Sequence, residues 1–151
     1  MFIAQSDAGS AMAMRAGLMM GFLIGFAIFL IPAIFYCLTL QKALNRCAPE
    51  NRAMAPGLVW LIFIPLFALV WQFFVVINMA KSLGAEFQKR GIAEEPEPGK
   101  KLGLIMCILA CCSIIPFLGI PCSLGALVCW IIYWIKIAGY SAKIAESVAA
   151  V

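Results

Sequence analysis

The chain has no histidine at all, and its 151 residues include only 7 acidic side chains against 11 basic ones. Without histidine, the usual axial ligand of a haem and half of the common zinc ligand set are gone. Seven cysteines are present, but no two form a Cys-x-x-Cys pair, so the other half of a zinc site is missing as well. Six of them (Cys37, Cys107, Cys111, Cys112, Cys122, Cys129) lie in apolar sequence, and only Cys47 lies in a polar segment. Buried cysteine acts mainly as a small hydrophobe, so we expect no metal and no cofactor. There is no phosphate-cradling glycine loop and no nucleophile elbow, so no enzyme is expected. A basic stripe with interleaved aromatics is also missing, which removes nucleic acid from the expected partners.

Charge is missing over three long runs: positions 16–41, 53–80 and 102–135, of 26, 28 and 34 residues. About 20 apolar residues in a helix cross the hydrocarbon core of a bilayer, which is roughly 30 Å thick. Hydrophobic residues make up 65% of the chain, and its mean hydropathy is +1.04. Soluble domains are about 45–50% apolar, so this excess calls for the lipid bilayer as its solvent. The first run is too long for the h-region of a signal peptide and has no small-residue cleavage site after it, which favours a retained span.

The expected fold is all-α: a single membrane domain over residues 1–151, built as a four-helix bundle. Its spans are placed at about 16–40, 58–80, 102–118 and 121–140. Pro32 lies within the first and Pro65 within the second. The second helix should continue past its span through Lys81–Arg90 and stop at Gly91. The third run would be roughly 51 Å long as one helix, too long for a single crossing. The sequence Pro116-Phe117-Leu118-Gly119-Ile120-Pro121 breaks it into a tight hairpin, with a short or re-entrant pair as the alternative. In this arrangement Arg15, Lys81, Lys89, Arg90, Lys100, Lys101, Lys136 and Lys143 fall on one side, and Lys42, Arg46 and Arg52 on the other. The larger group marks the cytoplasmic face. That predicts a multi-pass protein of a bacterial inner membrane with both termini cytoplasmic.

Small residues recur every four positions at Gly9, Ala13, Gly17, Gly21 and Gly25. The last three form a glycine zipper inside the first span, a face on which two helix backbones can approach closely. Its partner is either another span of this chain or a second protein. Gly103, Cys107, Cys111 and Gly119 make a similar stripe in the third run. Within the spans, the polar pair Gln72 and Asn78 suits hydrogen bonding between helices or the lining of a passive pore. No Asp, Glu or Arg lies within the runs, which argues against ion-coupled transport. The densest polar cluster is Lys42, Asn45, Arg46, Glu50, Asn51 and Arg52, which suits contact with a partner or a lipid headgroup.

Leu40-Gln41-Lys42, Pro49-Glu50-Asn51-Arg52-x-Met54-x-Pro56-Gly57, Val59-Trp60-Leu61, Ile64-Pro65-Leu66-Phe67 and Leu69-Val70-Trp71-Gln72-Phe73 follow one another closely. With Val128-Cys129-Trp130-Ile131-Ile132-Tyr133-Trp134-x-Lys136-Ile137, they resemble a family of small four-span bacterial inner-membrane proteins. The likeness covers roughly residues 38–140. Relatives often carry Asn where Ala68 stands. The resemblance implies four spans and no particular activity. It directs attention to the 41–57 loop and to Trp71-Gln72. The expected role is that of a non-enzymatic interaction, accessory or regulatory subunit, in a homo-oligomer or a larger membrane complex. The alternative is a passive pore for small solutes.

Overall fold

The computed structural model describes residues 2–149, and its regular structure among them is entirely helical. Helix α1 runs Phe2–Arg46, α2 Pro65–Arg90, α3 Lys100–Cys112 and α4 Gly119–Ala149. Two 3-10 segments, Pro49–Asn51 and Pro56–Phe63, lie between α1 and α2. Among the described residues, three stretches are long and apolar enough to cross a membrane: Ala11–Arg46, Phe67–Arg90 and Gly119–Ala149. The chain divides into two compact units, Met1–Tyr36 and Cys37–Val151. The first is the N-terminal part of α1, with Leu18, Phe22 and Phe29 exposed. The second holds everything else.

The expected four spans become three long helices, for reasons legible in the prolines and in helix length. Helix α3 has 13 residues, roughly 20 Å, which falls short of a bilayer core. The expected second span, 58–80, is also broken. A helix continuing through Pro65 would lose an N–H bond and drive the proline ring into the carbonyl of Leu61. Ile64, just before the proline, is extended at φ −83° and ψ 109°, as a residue in that position prefers. Helix α2 therefore starts at Pro65, and the residues before it form a separate 3-10 segment. At its other end α2 stops as expected. Gly91 is left-handed at φ +66°, and the N–H groups of Gly91 and Ile92 donate to the carbonyls of Gln88 and Phe87. This is a Schellman ending.

Within the unit Cys37–Val151, side-chain pairings fix the helix directions. Trp134 donates to Thr39, and Arg46 to Ser141, with the same offset of 95 residues. The end of α1 therefore runs parallel to α4. Phe87 meets Tyr140 edge to face at 5.7 Å, and further along both helices Arg90 donates to Ser147, so α2 is parallel to α4 as well. Helix α3 runs the opposite way, with Gly99 beside Tyr133 and Ile137 and Gly125 beside Leu109. The 53–63 stretch descends along α2. The Ala53 N–H donates to Ser82, and further down Trp71 donates to the Leu58 carbonyl.

This topology overturns the placement of the 41–57 and 81–101 segments on opposite sides. Glu50 pairs with Lys89, the Ala48 N–H reaches Glu86, and Arg46 reaches Ser141. Lys42, Arg46 and Arg52 thus lie at the same end as Lys81, Lys89, Arg90, Lys100, Lys101 and Lys143. The eight-to-three count assumed that 58–80 is a crossing helix. Instead the 3-10 segment and α2 go down and back from one end. The far end of this unit carries only the uncharged turns around 63–66 and 113–118.

The core gathers near the charged end. Leu40, Leu44, Val75, Met79, Leu83, Phe87, Tyr133, Ile137 and Ile144 are almost completely buried. Two glycines allow the close approaches. At Gly103 a Cβ would collide with the Val76 methyls and lie 3.0 Å from Tyr133. At Gly84 it would strike the Pro96 carbonyl, because the 92–99 loop folds back across α2 there.

Two experiments follow. Gly84→Ala should destabilise the protein by about 1–3 kcal/mol, the usual cost of overpacking. Gly139→Ala, where a Cβ meets nothing within 4 Å, should instead gain up to about 1 kcal/mol of helix propensity. Thermal unfolding in detergent, followed by circular dichroism, ranks the two. For topology, single cysteines at Asn45, Glu95 and Glu146 in a cysteine-free background should all react with an impermeant maleimide from one side of sealed vesicles. Labelling of Asn45→Cys from the side opposite Glu95→Cys would refute the shared end.

Candidate functional site

The polar residues of unit Cys37–Val151 converge on one carboxylate. Glu86 is 1% exposed, on the inward face of α2 between Leu83 and Phe87. One oxygen accepts the Ala48 N–H at 2.9 Å and the Asn51 side-chain amide at 2.7 Å. The other accepts the Arg90 Nε–H at 2.6 Å. The chain delivers these donors because Pro49 ends α1. Ala48 is extended at φ −60° and ψ 145°, and Pro49–Asn51 makes a single tight turn. One turn of α2 further down, the Ser82 hydroxyl accepts the Ala53 N–H and donates to the Asn78 carbonyl, both at 2.8 Å. Glu86 and Ser82 together fasten the 48–53 segment along α2.

Most of the polar cluster expected to face a partner is used inside the fold. Arg52 turns back to donate to the carbonyls of Cys47 and Asn45, both at 3.0 Å, where a cation complements a helix C-terminus. Arg46 donates to the Ser141 carbonyl at 2.7 Å and its hydroxyl at 2.8 Å. Asn51 is held by Glu86 and Glu50 by Lys89. Among the described residues, the side chains of Lys42 and Asn45 are the exposed ones of this cluster that carry no hydrogen bond. A shallow open depression on the same segment is lined by Pro49, Arg52, Ala53, Met54, Ala55 and Pro56.

The other singled-out residues are dispersed. Gln72 is half-buried on α2. Asn78 is buried, and its amide donates to the Phe74 carbonyl of its own helix at 2.8 Å. On α3, Gly103 and Cys107 face the core while Cys111 is exposed. Steps of four residues advance 40° around a helix, so the stripe has turned away by Cys111. Gly119 begins α4 and lies close to the Ser113 carbonyl, in the turn. A Cβ on Gly17, Gly21 or Gly25 would meet no atom within 4 Å among the described residues.

Electrostatics match these roles. The Lys89 ammonium holds the Glu50 carboxyl below the ordinary carboxylate range. A lowered value means that the pair's contribution is present above the ordinary carboxylate pKa and is lost as pH falls through the lowered one. Both side chains are more than half exposed, so water screens the pair and its contribution is small. Burial pushes the Cys47 thiol up to about 11, with the Glu86 charge adding to the effect. That thiol stays protonated and donates to the Ala43 carbonyl at 3.4 Å. Among the described residues, no three His, Cys, Asp or Glu side chains group as a metal site requires.

Glu86, Ser82, Gly84 and Ser141 were absent from the residues singled out in the sequence. Ser82, Glu86 and Arg90 do recur at four-residue spacing on the flank that carries Leu83 and Phe87. That places a carboxylate on a buried face, and this was the available signal. No family model matches the chain, and no curated protein or solved structure does either.

Glu86→Ala should cost about 3 kcal/mol, because it leaves Arg90 and the Ala48–Asn51 turn without their acceptor. Glu86→Gln, which keeps the shape and one acceptor, should cost less. Glu50→Gln should leave the melting temperature nearly unchanged at neutral pH. Melting curves of the three variants in one detergent test this order, and equal effects at Glu86 and Glu50 would contradict it.

Proposed function

We propose that this chain is a small, non-enzymatic integral membrane protein of a bacterial inner membrane. It acts through helix packing, as an interaction, accessory or regulatory subunit of a homo-oligomer or a larger membrane complex. The observation that carries this reading is the glycine zipper of α1. Gly17, Gly21 and Gly25 stand in an uncharged stretch of 26 residues, and added Cβ atoms there meet nothing within 4 Å. Three glycines cost helix propensity, roughly 1 kcal/mol each. Close contact with another helix backbone is the return that offsets such a cost in a membrane.

The polar cluster supports the same reading, because its charges fasten the protein's own turns. The charged end of the unit Cys37–Val151 is placed in the cytoplasm. That unit carries ten of the 11 basic residues, all except Arg15, and basic residues are retained on the cytoplasmic side.

Native mass spectrometry of the tagged protein, extracted gently from its host membranes, tests the proposal. The wild type should run above monomer mass, as a homo-oligomer or with a fixed second polypeptide. Gly21→Leu should shift most of it to monomer, since one leucine side chain separates the helix backbones. A wild type that is monomeric throughout, or an assembly unchanged by Gly21→Leu, would overturn the reading.

A further inference from the structure

Of the ten basic residues in the unit Cys37–Val151, six have partners within the fold. Arg46 holds Ser141, Arg52 holds the end of α1, and Lys89 pairs with Glu50. Arg90 pairs with Glu86, Lys100 with Glu97 and Lys143 with Glu94. The remaining four are Lys42, Lys81, Lys101 and Lys136. All four are exposed, and none makes an ion pair or a hydrogen bond among the described residues. They come one from each helix: α1, α2, α3 and α4.

The four also share a level. The offset of 95 between α1 and α4 sets Lys42 opposite Ile137, next to Lys136. Lys101 lies between Gly99 and Gly103, which both pack on Tyr133. Lys81 lies between two contacts of α2 with this region, Val76 on Gly103 and Gly84 on Pro96 and Pro98. These registers place all four within about one helical turn of each other along the unit. On one side of that level lie the internal ion pairs. On the other the chain has no charge: 53–80 before Lys81 and 102–135 before Lys136. Trp60 donates to Gln41 at the same level, and an amphipathic indole favours the membrane–water interface.

We infer that Lys42, Lys81, Lys101 and Lys136 form a girdle that binds the phosphate groups of anionic phospholipids in one leaflet. The argument is charge complementarity. Four unpaired cations sit at the border between an apolar body and a polar cap, the depth at which headgroup phosphates lie. Their stems cover apolar helix surface while the ammonium groups reach the interface. The acidic residues nearest in sequence to Lys101, Lys81 and Lys42 are already held: Glu97 by Lys100, Glu86 by Arg90 and Glu50 by Lys89. The girdle fixes how deep the unit sits. The inference rests on the membrane reading of the chain and is independent of any protein partner.

The test uses the full chain in detergent, titrated separately with dioleoyl phosphatidylglycerol and dioleoyl phosphatidylcholine and read by native mass spectrometry. The wild type should retain the anionic lipid in preference to the zwitterionic one. The preference should fall about fivefold for each lysine removed. Lys42→Gln/Lys81→Gln/Lys101→Gln/Lys136→Gln should bind the two lipids equally. Lys89→Gln/Lys143→Gln, which removes charge from the cap alone, should keep the wild-type preference. If the quadruple variant loses its helical circular dichroism, Lys42→Gln/Lys136→Gln and Lys81→Gln/Lys101→Gln should each lose part of the preference. Equal retention of both lipids by the wild type would overturn the proposal, as would an unchanged preference in the girdle variants. Displacement of the lipid by inorganic phosphate, beyond that by chloride at equal ionic strength, would make a free anion the occupant and overturn it too. Oligomer mass, read in the same spectra, reports separately on the glycine zipper.

Discussion

Glu86 decides where the chain goes after α1. A carboxylate that is 1% exposed must have every oxygen engaged, or its burial costs several kcal/mol. Its three donors come from the turn after α1 and from α2 itself. The first loop is therefore drawn to the C-terminal end of α2. With both helix ends at one level, α2 runs parallel to the end of α1 beyond Tyr36, and a descending segment must join them. Pro56–Phe63 is that segment. Pro65 closes its lower end and starts α2 in a single step, with Ile64 held extended between them.

The charged end is then built by short links between neighbouring elements. Arg46 ties α1 to α4, Arg90 reaches both Glu86 and Ser147, and Lys143 holds Glu94 of the folded-back loop. Arg52 neutralises the exposed carbonyls at the end of α1. Exposed ion pairs contribute little each. The firm contacts are the buried ones, around Glu86 and Ser82. Apolar packing by Leu83, Phe87, Tyr140 and Ile144 lies directly beneath them. Gly84 lets the 92–99 loop close over α2 at this point, which an alanine would block.

What the sequence made legible were features with a local cause. Uncharged runs gave the long apolar helices, Gly91 gave the end of α2, and the Pro116–Pro121 break gave the turn between α3 and α4. The features that escaped depend on long-range partners. A run of 28 uncharged residues looks like one crossing helix whether or not it doubles back. Long-range pairings show that 53–80 does: Ala48 and Asn51 with Glu86, Ala53 with Ser82, and Trp71 with Leu58. The loop at 41–57 looked free because its residues are polar and proline-rich. Asn51 and Arg46 have partners 35 and 95 positions away, and no local pattern encodes them. On α3, Val76 and Tyr133 press close to Gly103, Cys107 is buried, and the helix turns Cys111, the next residue of the stripe, outward.

The far end of the unit Cys37–Val151 follows from the same constraint. Once every charge is gathered at one end, the opposite turns must suit surroundings without water. The 113–118 turn does. The Ser113 N–H donates to Leu109, Ile114 to Cys111, Ile115 to Cys112 and Leu118 to Ile115, and Pro116 has no N–H to satisfy. The Ser113 hydroxyl donates to the Ala110 carbonyl at 2.6 Å, taking up another backbone acceptor. A turn in hydrocarbon must satisfy its backbone internally. Here residue after residue does so with short-range bonds, while Ile114, Phe117 and Ile120 point outward at 66%, 97% and 76% exposure. Such exposure would be a liability in water and suits a lipid interior. From Lys81 back to Pro65, and from Lys136 back to Gly119, the helices measure roughly 24–26 Å, against a core of about 30 Å. The apolar turns therefore reach most of the way across a bilayer and offer nothing charged to the far side.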